Sequence, residues 1–361
     1  MLLYLCLGIA IFSLWYVPFR VSSLSGCKKA FWPVFIACFL VIGGYIVLMG
    51  TKLYLKPNIV VALLYNILGI LLMLHAYVFC LLLILHPFSY FFKGKKRVAL
   101  LLTFFVAVSL VSYAYYNSMR VKVTFYEMRI AGLKAPLTIA HVPDLHLGAA
   151  RGEAFLAKTL QKIQDLEPQV IIYNGDLVDT NIALNPETFR PFEKVSIPQY
   201  FTTGNHEYYV DTESELNLLK LSGVKRLENE TVVIDGINII GLEYMNADRA
   251  TSDNHRVNDL FMDEELPKVF RDRTLPTVLI HHSPVGLSYA SRDGVALMLT
   301  GHTHGGQVFP GTIMVPLWFP EYKGRYQIDN MTLLVSQGVG TFGPPLRLGT
   351  FPEIQIVKLV P

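Results

Sequence analysis

Five short polar blocks in the second half of the sequence carry residue types that hold metal ions. They are Asp144 and His146 in DLH, Asp176 and Asp179 in GDLVD, Asn205 and His206 in GNHE, His281 and His282 in HHSP, and His302 and His304 in GHTHGGQ. Each is weak alone, since Asp-x-His arises often by chance and GNHE could be a turn. Together they offer imidazole nitrogens with carboxylate and amide oxygens, a donor set suited to Mn, Fe or Zn. The donors exceed what one ion needs. Three Asp, one Asn and several His could hold two ions about 3.5–4 Å apart, an arrangement that serves phosphoester hydrolysis. One carboxylate would then bridge two groups of ligands. The four cysteines (Cys6, Cys27, Cys38 and Cys80) all lie in the front third, so the remainder can build neither a disulfide framework nor a thiolate site.

The blocks must be positioned, and each follows a short, apolar, β-branched run. The runs 137–143, 169–174, 198–203, 277–281 and 296–300 read as strands, and 231–242 adds another strand segment. Helical patterns occupy 153–166 and 213–223, the second ending on Gly223 as a cap. Strand–helix alternation predicts an α/β domain. Open α/β sheets bind ligands outside the carboxyl ends of their strands, which is where all five blocks fall. Neighbours on a strand point to opposite faces, so one of His281 and His282 is the ligand. Gly301, Gly305 and Gly306 let the backbone turn tightly around the last histidine pair.

The front third is of a different kind. No Asp or Glu precedes Glu127, whereas nine of the 31 Lys and Arg precede Asn117, giving about +9 in front and about −6 behind. Four apolar runs (2–19, 30–50, 58–86 and 98–116) approach or exceed the roughly 20 residues that cross a bilayer. They predict a membrane domain of four transmembrane helices over residues 1–118, then a soluble domain over 119–361 close to the membrane. His75 in the third run reads as a hydrogen-bonded residue facing the bundle. The loops after runs 1 and 3 hold Arg20, Lys28, Lys29, Lys93, Lys95, Lys96 and Arg97, against Lys52, Lys56, Arg120 and Lys122 on the other side. The positive-inside rule then puts the basic loops in the cytoplasm and the soluble domain outside it. The acidic balance of that domain speaks against a nucleic-acid partner, and nothing points to a protein partner.

The order D-x-H, G-D-x-x-D, G-N-H-E, H, G-H-x-H resembles the calcineurin-like metallophosphoesterase superfamily, over residues 137–361. GNHEYY and the ending GVGTFGPPLRLGTFPEI (338–354) look like its membrane-associated bacterial branch. The resemblance implies a sandwich of two β-sheets flanked by helices, here preceded by the all-α membrane bundle, in a multi-pass protein of the bacterial cell membrane. It implies that Asp144, His146 and His304 hold one divalent ion and that Asn205, His282 and His302 hold another. Asp176 bridges them, and a water or hydroxide between the ions is the nucleophile. The His-x-Pro pattern of the family selects His282 over His281. His206 is implied to face the scissile phosphate, with Asp179 as the partner that orients it and favours its charged form; Asp179 as a simple cap is the plainer alternative. Pro143 and Gln337 depart from the family pattern, which usually has a small hydroxyl residue and often an Arg there. The expected activity is hydrolysis of a phosphomonoester or phosphodiester of a lipid or cell-envelope substrate. Two alternatives are a pyrophosphatase of the UDP-2,3-diacylglucosamine type in lipid A synthesis, which needs a cytoplasmic site, and a non-catalytic membrane receptor that keeps the fold.

Overall fold

The computed structural model describes residues 2–90, 94–251 and 257–361; Lys93 and the Cys6 side chain, counted above, lie outside the described residues. The apolar runs form four long helices, α1 (Leu2–Ser25), α2 (Phe31–Gly50), α3 (Ile59–Leu85) and α4 (Lys96–Ser118). Asn58 starts α3 by accepting the N–H groups of Val60 and Val61, two donors that have no partner inside the helix. Among the described residues three helices are long and apolar enough to cross a membrane (Lys28–Gly50, Ile59–Leu85 and Lys96–Ser118), not the expected four. The described side chains of α1 include Arg20 and four serines, which dilute its apolar stretch. It still packs in the bundle, where Ser13 and His75 of α3 hydrogen-bond at 3.0 Å.

The remaining chain folds as two six-stranded mixed sheets with helices on their outer faces. The strands are β1 (Lys122–Arg129), β2 (Leu137–His141), β3 (Val170–Asn174), β4 (Gln199–Thr202), β5 (Lys225–Arg226), β6 (Glu230–Ile234), β7 (Ile237–Gly241), β8 (Thr277–Ile280), β9 (Leu297–Thr300), β10 (Gly324–Ile328), β11 (Met331–Val335) and β12 (Glu353–Val360). The first sheet has the order β1-β12-β2-β3-β4-β5 and the second β10-β11-β9-β8-β7-β6. The run at 231–242 is a hairpin rather than a single strand. Asp235 (φ 47°) and Gly236 (φ 79°) take the left-handed turn that joins β6 to β7. The chain between membrane and domain is not a bare join either, because β1 pairs in parallel with β12 along the sheet edge.

Alternate side chains of the two sheets meet in one dry layer, with Ile139, Ile172 and Val357 from the first facing Ile239, Ile280 and Leu299 from the second. Outside the first sheet, helices α5 (Glu153–Gln164), α6 (Pro186–Glu193) and α7 (Thr212–Leu221) supply Leu156, Leu160, Phe189, Phe192 and Leu219. Outside the second lie α8 (Met262–Glu265) and α9 (Leu287–Arg292), and a last short helix, α10 (Gly311–Met314), follows β9. The strands β2, β3 and β4 run parallel, as do β8 and β9, so each set delivers its carboxyl ends to one edge.

Candidate metal centre

The carboxyl ends of β2, β3 and β4 deliver Asp144 and His146, Asp176 and Asp179, and Asn205 and His206; those of β8 and β9 deliver His282 and the pair His302 and His304. The two sheets thus contribute to one cluster, and it is buried. Asp144, His146, Asp176, Asn205, His206, His282 and His304 are each at most 5% exposed. The loops are forced into place. Asp144 (φ 56°), His146 (φ 45°), Asp176 (φ 52°), His302 (φ 69°) and His304 (φ 50°) all have left-handed backbone. For residues with a β-carbon this costs on the order of 1–2 kcal/mol each and persists only where the surroundings impose it. Here the N–H of His302 donates to both carboxylate oxygens of Asp144 at 3.1 Å, and the N–H of His206 donates to Asp176 at 2.8 Å. Of the glycines beside the last pair, Gly305 and Gly306 have positive φ. Gly301 does not, and it is needed for close approach, since a β-carbon there would collide with the Asp144 carboxylate.

Three sets of ligand atoms converge, each within 4.8 Å: Asp144 with His146 and His304, Asp176 with His282 and His302, and His146 with Asp179 and His206. Asp176 touches two of the sets. Its Oδ2 lies 3.2 Å from His282 Nε2 and 3.6 Å from His146 Nε2. Asp144 Oδ1 lies 3.3 Å from His304 Nε2 and 3.8 Å from His282 Nε2. His146 Nδ1, Asp179 Oδ1, Asn205 Oδ1, His206 Nδ1 and His282 Nε2 are buried with no hydrogen-bond partner. Buried polar atoms are nearly always paired in native proteins. Two of these orphans, Asn205 Oδ1 and His282 Nε2, belong to the expected ligand set, and nitrogen and oxygen donors of this kind fit divalent cations.

The adjacent histidines divide. His282 turns Nε2 to Asp176, while its Nδ1 bonds the carbonyl of Asn174 at 2.7 Å. His281 is occupied elsewhere: Nδ1 bonds the carbonyl of Ser283 at 2.8 Å and Nε2 accepts the N–H of Met245 at 3.4 Å. Asp179 is shared, with Oδ1 3.5 Å from His146 Nδ1 and 3.8 Å from His206 Nδ1. Burial pushes His206 down to about 4, outweighing the pull of Asp176 and Asp179, and so opposes the charged form. Burial also acts to raise Asp176, yet His282, His206 and His146 hold its carboxyl well below the usual range. For His282, burial is overcome by Asp176 and Asp144, which lift it to about 10.

Two supporting residues lay outside the sequence reading. Glu207 accepts the N–H groups of Asp176 at 2.9 Å, Leu177 at 2.8 Å and Gly204, tying the β3 and β4 loops together. Arg347, fully buried, donates to the carbonyls of His304 (2.9 Å), Gly338 (3.2 Å) and Gly340 (2.6 Å) and lies 3.0 Å from His304 Nδ1. A charged residue inside the apolar, glycine-rich stretch PPLRLG was the available signal. Gln337 is buried beside Gly305, and its N–H donates to Glu353 at 3.0 Å.

A cavity of about 490 Å³ opens over the cluster. His146, Asp176, Asn205, His206, His302 and His304 line its floor, and Val315, Phe319 and Phe342 line one side. Met49, near the end of α2, and Tyr54, from the turn between α2 and α3, also line it.

Residues 137–306 match the family described as calcineurin-like phosphoesterase. The chain is 29% identical over 238 residues to a Danio rerio protein named "Transmembrane protein with metallophosphoesterase domain", covering 62% of this chain and 53% of that one. It is 31% identical over 234 residues to an uncharacterized metallophosphoesterase of Helicobacter pylori strain J99, covering 63% and 61%. An Aquifex aeolicus metallophosphoesterase, also uncharacterized, is 28% identical over 262 residues, covering 71% and 98%. The chain thus spans only 53% and 61% of the first two relatives. Among solved structures, a purple acid phosphatase from yellow lupin superposes with a TM-score of 0.38 at 14% identity, covering 63% of this chain and 49% of that one. A dimetal phosphatase from Danio rerio gives 0.37 at 13%, covering 59% and 90%.

Proposed function

Because residues 137–306 match the calcineurin-like phosphoesterase family and the chain is similar to metallophosphoesterases, we propose that it hydrolyses a phosphomonoester or phosphodiester at the cluster described above. The reading rests chiefly on one observation: buried histidine and aspartate ligand atoms from both sheets converge around Asp176. In this reading Asp144, His146 and His304 hold one divalent ion, Asn205, His282 and His302 a second, and Asp176 serves both. Such ions, when bound, lower the pKa of water and offset charge on a phosphoryl group.

The chain's own residues supply the rest. Asp176 and Asp144 place negative charge between the imidazoles. His206, at the cavity floor, presents its ring to the phosphoester, donating to the oxygen on which charge develops. Water adds to phosphorus, the bond to the ester oxygen breaks, and that oxygen takes a proton. Asp179 positions the rings of His146 and His206 together. The domain division at about residue 118 follows the end of α4, and the basic loops favour a catalytic domain outside the cytoplasm. A periplasm-active reporter fused after Pro361 is expected to be active; activity of a cytoplasm-only reporter there would reverse the orientation and favour the lipid-A type of pyrophosphatase.

The direct test uses full-length protein stripped with chelator and reloaded with Mn²⁺, assayed on aryl phosphate monoesters and diesters. Turnover of at least one, lost on stripping and restored on reloading, is expected; no turnover of either with Mn²⁺ bound would reject the enzyme reading. The histidine pair gives a finer result. His302→Ala and His304→Ala should each leave partial metal content, because each is assigned to a different ion. Elemental analysis showing no metal in either variant would mean that the two histidines share one indivisible site.

A further inference from the structure

The cavity over the metal cluster and the membrane helices share a wall. The α2–α3 turn does not stand clear of the catalytic domain: Met49 and Tyr54 line the cavity beside His146 and His206. Tyr65 of α3 stacks with Tyr54 (ring centroids 4.8 Å) and Tyr45 (5.5 Å), and this cluster packs on Tyr209 and Val210, just past the GNHE block. The contact is close, since a β-carbon on Gly69 of α3 would come within 2.9 Å of Pro344. The hairpin therefore lines the site, and the apolar Val315 and Phe319 line it too.

Val315 and Phe319 belong to a segment that leaves large apolar side chains exposed. Phe309, Ile313, Leu317 and Trp318 are 47%, 66%, 78% and 45% exposed. Clustered exposed apolar side chains mark an interaction surface. The fold says what covers this one. The Tyr77 hydroxyl of α3 donates to the Phe309 carbonyl at 2.8 Å. Tyr77 lies roughly 27 Å along α3 from Ile59 and roughly 12 Å from Leu85, at 1.5 Å per residue. Phe309 is thus fastened partway along a helix that is apolar and long enough to cross a bilayer. The Phe309 end of this segment is thus held against α3.

We propose that the substrate is a membrane amphiphile, a phosphoester that carries an alkyl or acyl chain, and that it enters laterally from the bilayer between Met49 and Phe319. Its phosphoryl group reaches the metal cluster while its chain lies against Met49, Val315, Phe319 and Phe342. The proposal rests on the phosphoesterase reading above and names the substrate class for that site.

Linear alkyl phosphonates keep the phosphoryl oxygens but have no ester to cleave. Their binding to Mn²⁺-loaded full-length protein in lipid nanodiscs can be measured by calorimetry without turnover. Each methylene that leaves water strengthens binding roughly fourfold, so octyl phosphonate is expected to bind at least about 100-fold tighter than ethyl phosphonate. Met49→Asp and Phe319→Asp should each reduce that ratio below about tenfold. A wild-type ratio near one, as for a water-soluble substrate, or an unchanged ratio in both variants, overturns the proposal. A second readout does not depend on either aspartate variant folding. In a Trp15→Phe/Trp32→Phe background, brominated acyl chains should quench the fluorescence of Trp318; absence of quenching also overturns it. The aryl phosphate assay separates the two readings. Turnover with a ratio near one rejects lateral entry and keeps the hydrolase, and chain-length dependence without turnover does the reverse.

Discussion

Asp176→Asn is expected to lower kcat/KM for an aryl phosphate by at least about 10³ at saturating Mn²⁺, and to leave less than half of the wild-type metal. The substitution keeps the shape of the side chain, and the amide oxygen can still accept the N–H of His206, which Asp176 Oδ1 accepts at 2.8 Å. The loop should therefore hold. What disappears is the charge on Oδ2, the atom 3.2 Å from His282 and 3.6 Å from His146. No other carboxylate lies as close to both of these ligand groups among the described residues. A factor of 10³ corresponds to about 4 kcal/mol of lost transition-state stabilisation. That is the scale of removing a buried, preorganised electrostatic group. Steady-state kinetics with elemental analysis of the same preparation decides the matter. Turnover within tenfold of wild type at full metal content would exclude Asp176 as the shared ligand.

Arg347→Ala is expected to destabilise the domain by about 3–5 kcal/mol, the range for leaving the partners of a buried charged group without it, and to lower the apparent melting temperature by on the order of 10 °C. The guanidinium is fully buried and joins three carbonyls, those of His304, Gly338 and Gly340, beside the His304 ring. Orphaned buried acceptors are costly, and the truncation also opens a cavity. The consequence for function follows from the same contacts. Arg347 pins the backbone of the GHTH turn, so the variant should lose affinity for the ion assigned to Asp144, His146 and His304 more than for the other. Lysine is a point charge without the planar fork, so Arg347→Lys should recover only part of the stability. A melting temperature and Mn²⁺ content equal to wild type in Arg347→Ala would show that these hydrogen bonds contribute little.

Much of the site could be read from local pattern. Every proposed ligand lies within a few residues of a strand end, and a strand end is set by where β-branched apolar runs give way to Asp, Gly and His. The same logic located α2 to α4 within two residues at each end and stopped α1 six residues early. It failed where a local pattern has two solutions. The run at 231–242 has strand composition throughout, and only the Asp235–Gly236 pair, with its left-handed backbone, divides it. The edge strands β1 and β10 and their inner neighbours β12 and β11 went unassigned, because their side chains face surfaces that only the completed sheets define. Among the described residues three helices rather than four qualify as spans, because Arg20 and the serines weaken the described part of α1.

By itself the sequence determined the chemistry on offer: nitrogen and oxygen donors without thiolates, placed after successive strands, behind helices that carry no acid. Residue type and near-neighbour periodicity suffice for that, since both act over a turn of helix or a few residues of strand. Tertiary structure decided how the donors are used. It turned His282 inward and gave His281 to Ser283 and Met245. It placed Asp179 between His146 and His206 rather than beside one of them. It brought Arg347 to His304, and it laid Tyr54 and Met49 over the cavity. The last of these joins residues some 250 positions apart. Such contacts depend on how a helical hairpin docks against two packed sheets, and packing of that kind leaves no periodic trace in either partner.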